Sequence, residues 1–544
     1  MKFYYILFIF SLLGCSKDNK ISTDFNFIDQ EAISYQNNFY PIWILGLHIW
    51  EDDKNNSSSV NYIIDEYEKN KISFSSIIFD SPWSFSYNNF EIDTLRYPNF
   101  DQLINKLNAR GTKKIFWLTG FQNIKSTDAF FTKSNYFEIF ENNNLFVNNA
   151  AIYNWWKGSG AYVDFTNQIA VNKFFTLMNK VEADGFKLDE GYTYLDDKIA
   201  TSIGVITKEN LGHYYYRELT KRLANSKKVT LGRSYSSQGK PYLHSTPDEV
   251  TFSWSGDHRG DFQGLQEQLH DVYKSISSNH NLICWEVGGY NFPAPSKNDL
   301  LNSLKIGILL PTLNNGGRNG GLTNHLPWYH DKETIFYFKK YIDIHYNLIP
   351  YFYNELIKNG KEKLLKLDNF SKNSYFIGEN LQVFTPTSSA NEIECNFNIP
   401  ENWTNFFIPE NLKLNKFNFK NSLDNIPLFI KKGTILPYYN PFINNNKLKF
   451  YIFPTDKKEY LFYLPNVQNN TIADIISIKY DVSKKTLEYR SNLIHDYELV
   501  IMSRNPISVI NNNTNISINH TNNSSTLNIT GKYGKFHFFK FNNY

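Results

Sequence analysis

Asp184-Gly185-Phe186-Lys187-Leu188-Asp189 is a short apolar run closed by a carboxylate. In an extended chain, alternation puts Lys187 and Asp189 on one face and Phe186 and Leu188 on the other. Similar runs recur on both sides of it. Trp43–Leu47, Ser76–Asp80 and Lys114–Thr119 precede it, and Val229–Arg233, Val250–Trp254, Leu282–Trp285 and Ile306–Pro311 follow. Longer amphipathic stretches lie between them. One opens at Pro98-Asn99 and stops at Gly111, and another is capped by Thr166-Asn167 with apolar positions at Ile169, Phe174, Phe175, Met178 and Val181. Eight strands alternating with helices over about 300 residues predict a (β/α)8 TIM barrel, an α/β fold, at residues 41–358. One connection is far longer than the usual 2–6 residues: 120–164, rich in Phe, Asn and Trp, reads as an insertion at the barrel rim.

Beyond the barrel the pattern changes to short alternating runs broken by Asn, Pro and Gly, such as Leu381–Thr385, Leu428–Leu436 and Glu459–Tyr463. Two small C-terminal β-sandwich domains are expected, a proximal one at 359–444 and a distal one at 445–544.

The chain has 544 residues, 41% hydrophobic and 20% charged, which supplies ample core and excludes the disordered and collagenous classes. Fifty-six Lys plus Arg against 53 Asp plus Glu leave a formal charge of +3, with no basic footprint for nucleic acid. Residues 1–14 read as a lipoprotein signal peptide: Lys2, an apolar run from Phe3 to Leu13 too short to span a bilayer, then Gly14 before Cys15. Leu12-Leu13-Gly14-Cys15 resembles a bacterial lipobox, so Cys15 is the expected lipidation site and membrane anchor, 15–40 a linker, and the bacterial cell envelope the expected location. Cys15, Cys284 and Cys395 make no disulfide framework, and neither they nor the 12 histidines show metal-ligand spacing. No Gly-x-Ser-x-Gly elbow, phosphate-binding loop or dinucleotide fingerprint occurs. Neither a metal nor an organic cofactor is expected.

In a TIM barrel the C-terminal strand ends build the active site. Asp80, Trp117, Lys187, Asp189, Arg233, Trp254 and Asp257 all fall at such ends or next to them. Carboxylates, one Arg, one Lys and aromatic rings suit a neutral, hydroxyl-rich substrate. Retaining glycoside hydrolysis needs one ionised and one protonated carboxyl about 5–5.5 Å apart. Asp189, held ionised by Lys187, reads as the nucleophile. Asp257, in Ser253-Trp254-Ser255-Gly256-Asp257, reads as the acid/base, desolvated by its Trp. A lone Asp is also an ordinary turn or cap residue, Lys187 an ordinary salt-bridge partner, Arg233 a structural pin and Trp117 a core residue. What favours the site reading is their fall at successive ends of one barrel.

From Pro41 to Pro437 the chain resembles glycoside hydrolase family 31. The pieces that carry the likeness, in order, are Trp43-Ile44-Leu45-Gly46, Ile77-Ile78-Phe79-Asp80, Tyr162-Val163-Asp164-Phe165-Thr166-Asn167, Phe186-Lys187-Leu188-Asp189, Gly232-Arg233-Ser234, Trp254-Ser255-Gly256-Asp257, Gly288-Gly289-Tyr290, Pro350-Tyr351 and the run from Ile426 to Pro437. The resemblance implies a retaining, exo-acting α-glycosidase acting on an oligo- or polysaccharide. Asp189 matches the nucleophile and Asp257 the acid/base, while Asp80, Trp117, Lys187 and Arg233 match residues that hold the sugar beside the cleaved bond. Where the family commonly has a sugar-contacting histidine, aligning back from Pro327-Trp328 places Asn319, and His325 is a second candidate contact. Only about 26 residues separate Cys15 from Pro41, so the family's N-terminal β-sandwich, which lends a loop to the site, is not expected. Lys187 is similar to members acting on α-xylosides, α-galactosides and sulfonated glucosides, whereas Trp254-Ser255-Gly256-Asp257 is nearer the α-glucosidases, and α-glucoside is favoured. The alternatives are a transglycosylase of the same family, which uses the same carboxylates, and a glycan-binding lipoprotein, which has no need of both.

Overall fold

The computed structural model describes residues 40–52, 55–237, 242–316, 325–410, 412–443, 446–503, 517–521 and 524–537. Eight parallel strands form its central sheet: β1 (Leu47–Glu51), β2 (Ser76–Phe79), β3 (Lys113–Leu118), β4 (Gly185–Leu188), β5 (Val229–Arg233), β6 (Phe252–Trp254), β7 (Ile283–Cys284) and β8 (Leu313–Gly316). They hydrogen-bond in the order β7-β6-β5-β4-β3-β2-β1-β8. A bridge from Glu286 to Asn314, with the Val287 N–H donating to the Asn314 carbonyl at 2.9 Å, brings the two ends together. This is the expected barrel. Its strands are buried on both faces, which is why they read as continuous apolar runs rather than alternating ones.

Seven helices wrap the strands: α1 (Ser57–Lys69), α2 (Phe100–Ala109), α3 (Gln168–Met178), α4 (Lys208–Asn225), α5 (Phe262–Ser277), α6 (Lys297–Gly307) and α7 (Lys332–Asn359). Six start at a side chain that accepts a backbone N–H of the first turn: Asn56, Asn167, Thr207, Asp261, Ser296 and Asp331. Between β5 and β6 the described residues hold the short antiparallel pair Tyr235–Ser236 with Tyr242–Leu243 and the single helical turn Pro247–Glu249.

Two strands lie elsewhere than the sequence suggests. Trp43–Leu47 is not the first strand: Ile42–Leu45 is a buried 3-10 turn, and the strand begins at Leu47. A short apolar run has no periodicity to separate a turn from a strand. The true strand disguises itself with His48, whose ring bonds Ser76 Oγ at 2.7 Å and the Ile44 carbonyl at 3.1 Å. Likewise Ile306–Pro311 is the end of α6 and the turn after it, and β8 is Leu313-Asn314-Asn315-Gly316. Its buried Asn315 donates to the Val287 and His325 carbonyls and accepts from Tyr67 at 2.5 Å, so a polar strand survives inside the barrel.

Within 120–164, Phe121–Ser126, Gly158–Tyr162 and Tyr153–Trp155 form an antiparallel sheet, joined by the helix Phe137–Asn142. After α7 come two β-rich units. In the first, a five-stranded sheet from Leu365 to Lys431 and the pair Glu392–Asn396 with Lys416–Lys420 enclose Phe384, Phe397 and Phe429. In the second, Ile435–Pro437 joins a seven-stranded sheet whose long strands include Lys457–Asn466, Thr471–Asp481 and Thr486–Met502.

Candidate active site

Strand register sets the site. Trp117 on β3 lies beside Lys187 on β4, whose register partner on β5 is Leu231, and two residues further along β5 Arg233 lies beside Trp254 on β6, so these long side chains form a layer near the strand ends. Asp80, Asp189 and Asp257 sit just beyond, where β2, β4 and β6 end. The turn to Asp257 passes through Gly256 at φ +109°, a conformation that strains any residue with a Cβ.

Lys187 is buried in this layer. Its ammonium lies 3.0 Å from Asp80 Oδ2, 4.5 Å from the ring centre of Trp50 and 5.0 Å from that of Trp254. Burial opposes its charge, yet the carboxylates of Asp80, Glu286 and Asp189 hold its pKa above the ordinary lysine value. Asp189 accepts from Trp117 Nε1 at 3.0 Å, from Arg233 Nε at 3.0 Å and from the Glu190 N–H at 2.8 Å. Burial alone raises a carboxyl pKa, but the Arg233 and Lys187 charges and these donors hold Asp189 below the usual aspartate range. Asp189 is an ionised, oriented carboxylate.

Arg233 also reaches Asp257, Nη2 to Oδ2 at 2.8 Å, with its guanidinium 5.0 Å from the Trp254 ring centre. One guanidinium thus spans both carboxylates, through different nitrogens. The Asp257 side chain is 30% exposed and that of Asp189 10%, so Asp257 is the more open of the two to solvent.

Asp80, Trp117, Lys187, Asp189, Arg233 and Asp257 line one cavity of about 430 Å³. Trp254 is fully buried beneath Arg233 and Lys187 and acts from behind the wall. His325 is fully buried and does not line this cavity. Asn319 and Cys15 lie outside the described residues.

Several lining residues escaped the sequence reading. Trp50 lies in β1 and Asp52 just past its end, and that strand begins four residues later than the apolar run Trp43–Leu47 suggests. Asp52 accepts from the Tyr290 hydroxyl at 2.5 Å, and burial, with the Asp80 charge, pushes its carboxyl up to about 7. Glu190 follows the nucleophile candidate directly. It lies 3.1 Å from His244 Nδ1, and burial lifts it to about 7. Its adjacency to Asp189 was the available signal. Asp128, Trp156 with Lys157, and Tyr194 line the rim from three loops, with no common motif.

Chemically, an ionised, buried carboxylate opposite a more open one at the mouth of an aromatic-walled pocket can form and hydrolyse a covalent glycosyl ester. The comparisons agree with that class. Residues 37–355 match the model for the Glycosyl hydrolases family 31 TIM-barrel domain, and the chain belongs to glycoside hydrolase family 31. An isomaltosyltransferase of Sporosarcina globispora is 21% identical over 467 residues, 73% of this chain and 41% of its own. An alpha-xylosidase of Saccharolobus solfataricus is 21% identical over 446 residues, 74% of this chain and 57% of its own. The chain spans about half the length of these curated relatives. A solved cycloalternan-forming enzyme from Listeria monocytogenes, in complex with a pentasaccharide substrate, shares the fold with a TM-score of 0.77 at 16% identity, covering 94% of this chain and 56% of that one.

Proposed function

We propose that the protein is a retaining, exo-acting α-glycosidase that removes one terminal sugar from an oligo- or polysaccharide, α-glucoside favoured over α-xyloside or α-galactoside. The observation that carries this is the Asp189–Arg233–Asp257 arrangement. Asp257, holding a proton, gives it to the leaving oxygen as Asp189 attacks the anomeric carbon and forms a β-glycosyl-enzyme. Asp257 then takes a proton from water, and the hydroxide displaces Asp189 with the α configuration restored. For this cycle Arg233 must release Asp257 while keeping Asp189, which its two separate nitrogens permit. Trp117 keeps Asp189 aimed throughout.

The pocket's shape supports exo action, since Lys187, Asp80 and Trp50 stand across the inner end where a longer chain would need to pass. The transferase and cycloalternan-forming relatives favour a second reading, transfer of the sugar to another sugar rather than to water. We place the protein in the bacterial cell envelope, anchored through lipidated Cys15 on the lipobox reading. Incorporation of labelled palmitate, lost in Cys15→Ser, tests that placement.

The activity test incubates the purified protein with aryl α-glycosides of glucose, xylose, galactose, N-acetylgalactosamine and sulfoquinovose, beside Asp189→Ala. Release from one of them, lost in the variant and giving the α-anomer first by NMR, is the expected result. Release that survives Asp189→Ala overturns the nucleophile assignment.

A further inference from the structure

The second β-unit carries a cavity of its own. In its strands Lys457–Asn466, Thr471–Asp481 and Thr486–Met502, alternate residues such as Phe462, Ile476, Ile478 and Tyr489 fill the unit's core, so their neighbours face the other way. Register lines those neighbours up across the sheet. Leu461, Ser477 and Arg490 are successive partners, and Tyr533 on the strand Ser524–His537 continues the row. Glu459, Lys479 and Glu488 form the next row. Over these rows lies a cavity of about 420 Å³, nearly as large as the catalytic one.

A bulge raises one wall. The register between Thr486–Met502 and Ser524–His537 shifts between Arg490 and His495, so residues 491–494 leave the ladder. The buried carboxylate of Asp474 holds them: it accepts from the Asn492 N–H at 3.2 Å, from Asn492 Nδ2 at 2.9 Å and from the Leu493 N–H at 3.0 Å, and bonds His495 Nε2 at 2.7 Å. Ser491 and Asn492 thereby stand at the side of the cavity. Half-buried Leu461 and Ile475 give it an aliphatic floor. Its charged lining balances, Glu459 and Glu488 against Lys479 and Arg490, and each cation has a carboxylate: Lys479 Nζ lies 3.7 Å from Glu459 Oε2, and Arg490 Nη2 2.5 Å from Glu488 Oε1. An ionic ligand therefore gains no net attraction there. Exposed ion pairs are weak in water, so they give way readily to a ligand's hydroxyl groups. Tyr533, 47% exposed, lies next along the row with the Arg490 guanidinium 5.3 Å from its ring centre. An apolar floor, an aromatic ring and balanced hydrogen-bonding edges suit a neutral ring with C–H faces and a rim of hydroxyls. The row from Leu461 to Tyr533 crosses four strands, about 14 Å at the usual strand spacing, so more than one such ring fits along it.

We propose that this groove binds a neutral polysaccharide at a second site, with sugar rings on Leu461, Ile475 and Tyr533 and their hydroxyls bonded by Ser477, Arg490 and Asn492. Among the described residues its lining belongs to the second β-unit alone and shares nothing with the catalytic cavity. The groove goes beyond the proposed function and rests on it only for the choice of probes. A polymer held there keeps its chain ends at raised local concentration around the catalytic cavity, so groove and cavity cooperate on long substrates and not on single sugars.

The test is electrophoresis of the full chain through native gels containing dextran or soluble starch, neutral polymers of the favoured α-glucoside, with Asp189→Ala as the background so that neither is consumed. Retardation by at least one polymer is expected. Its apparent dissociation constant should rise about tenfold in Ser477→Trp, which fills the groove, and about fivefold in Arg490→Ala, which removes one hydrogen-bonding edge. With Asp189 restored, the same two substitutions should leave kcat/KM for the responsive aryl glycoside within about twofold and raise KM for the polymer. No retardation of the parent protein, retardation that survives both substitutions, or aryl turnover that falls in step with binding overturns the groove. An aryl panel that stays silent while retardation depends on Ser477 and Arg490 leaves the groove standing and overturns the catalytic reading instead.

Discussion

The Lys187–Asp80 pair offers the most exacting check on the barrel floor. Both side chains are about 95% buried, with Nζ and Oδ2 3.0 Å apart. At that separation and an effective dielectric near 20 their attraction is about 5 kcal/mol. Removing one partner of a buried pair characteristically costs about 3–5 kcal/mol, because the other charge stays buried without compensation. Lys187→Met keeps the aliphatic stem between Trp50 and Trp254 and leaves Asp80 with the Ser81 N–H at 2.8 Å as its remaining bond. Asp80→Asn keeps the volume and leaves the ammonium on two indole faces. Each single variant should lose about 3–5 kcal/mol, and the double variant should lose about 2–3 kcal/mol less than their sum. The assay is urea unfolding of wild type, both singles and the double, followed by near-ultraviolet circular dichroism of the barrel tryptophans. Additive losses within about 0.5 kcal/mol would refute the argument, since they would mean that the contact carries no coupling energy.

Three further outcomes follow from the site. Arg233→Lys keeps a positive charge but has one head for two carboxylates, so kcat should fall about 100-fold while the folded spectrum persists; activity within about twofold of wild type would show that the bridging is not needed. Burial raises Glu190 to about 7, so its ionisation opposes folding: the cost is absent at pH 4, grows as pH rises past the unfolded value, and is complete above pH 7. Glu190→Gln should therefore gain about 2–3 kcal/mol relative to wild type at pH 8 and little at pH 4, and denaturation at both pH values decides it. Finally, the cavity is lined by six carboxyl groups and three cations, and Lys187 and Arg233 are already paired. Among the aryl glycosides the anionic sulfoquinovoside should be the poorest substrate, and a preference for it would show that a cation is released on binding.

Much of this was present in the sequence as local chemistry. Alternation alone placed Lys187 and Asp189 on one face, and Ser255-Gly256 signalled the turn that Gly256 makes at φ +109°. The order of strands and strand-end carboxylates is a one-dimensional property, so the barrel and its catalytic level could be read along the chain. The first and last strands could not. His48 and Asn315 are tolerated inside a barrel only because Ser76, the Ile44 carbonyl, Tyr67 and the Val287 and His325 carbonyls meet them there, and those partners lie up to 248 residues away.

Tertiary structure also decided the charges and the rim. A sequence shows that Lys187 precedes Asp189 by two residues, but its direct partner is Asp80, 107 residues distant, and Asp189 is held by Trp117 and Arg233 instead. Trp156, Tyr194 and Asp128 share no motif and meet only because a hairpin tip, a post-strand turn and an insertion loop converge over one cavity. Residue types and their periodicity are local, so the sequence by itself determined the barrel and the side chains at the ends of β2 to β6, but not those of β1 and β8. Ionisation and substrate contact depend on distances between remote segments, and those exist only once the ring of strands has closed.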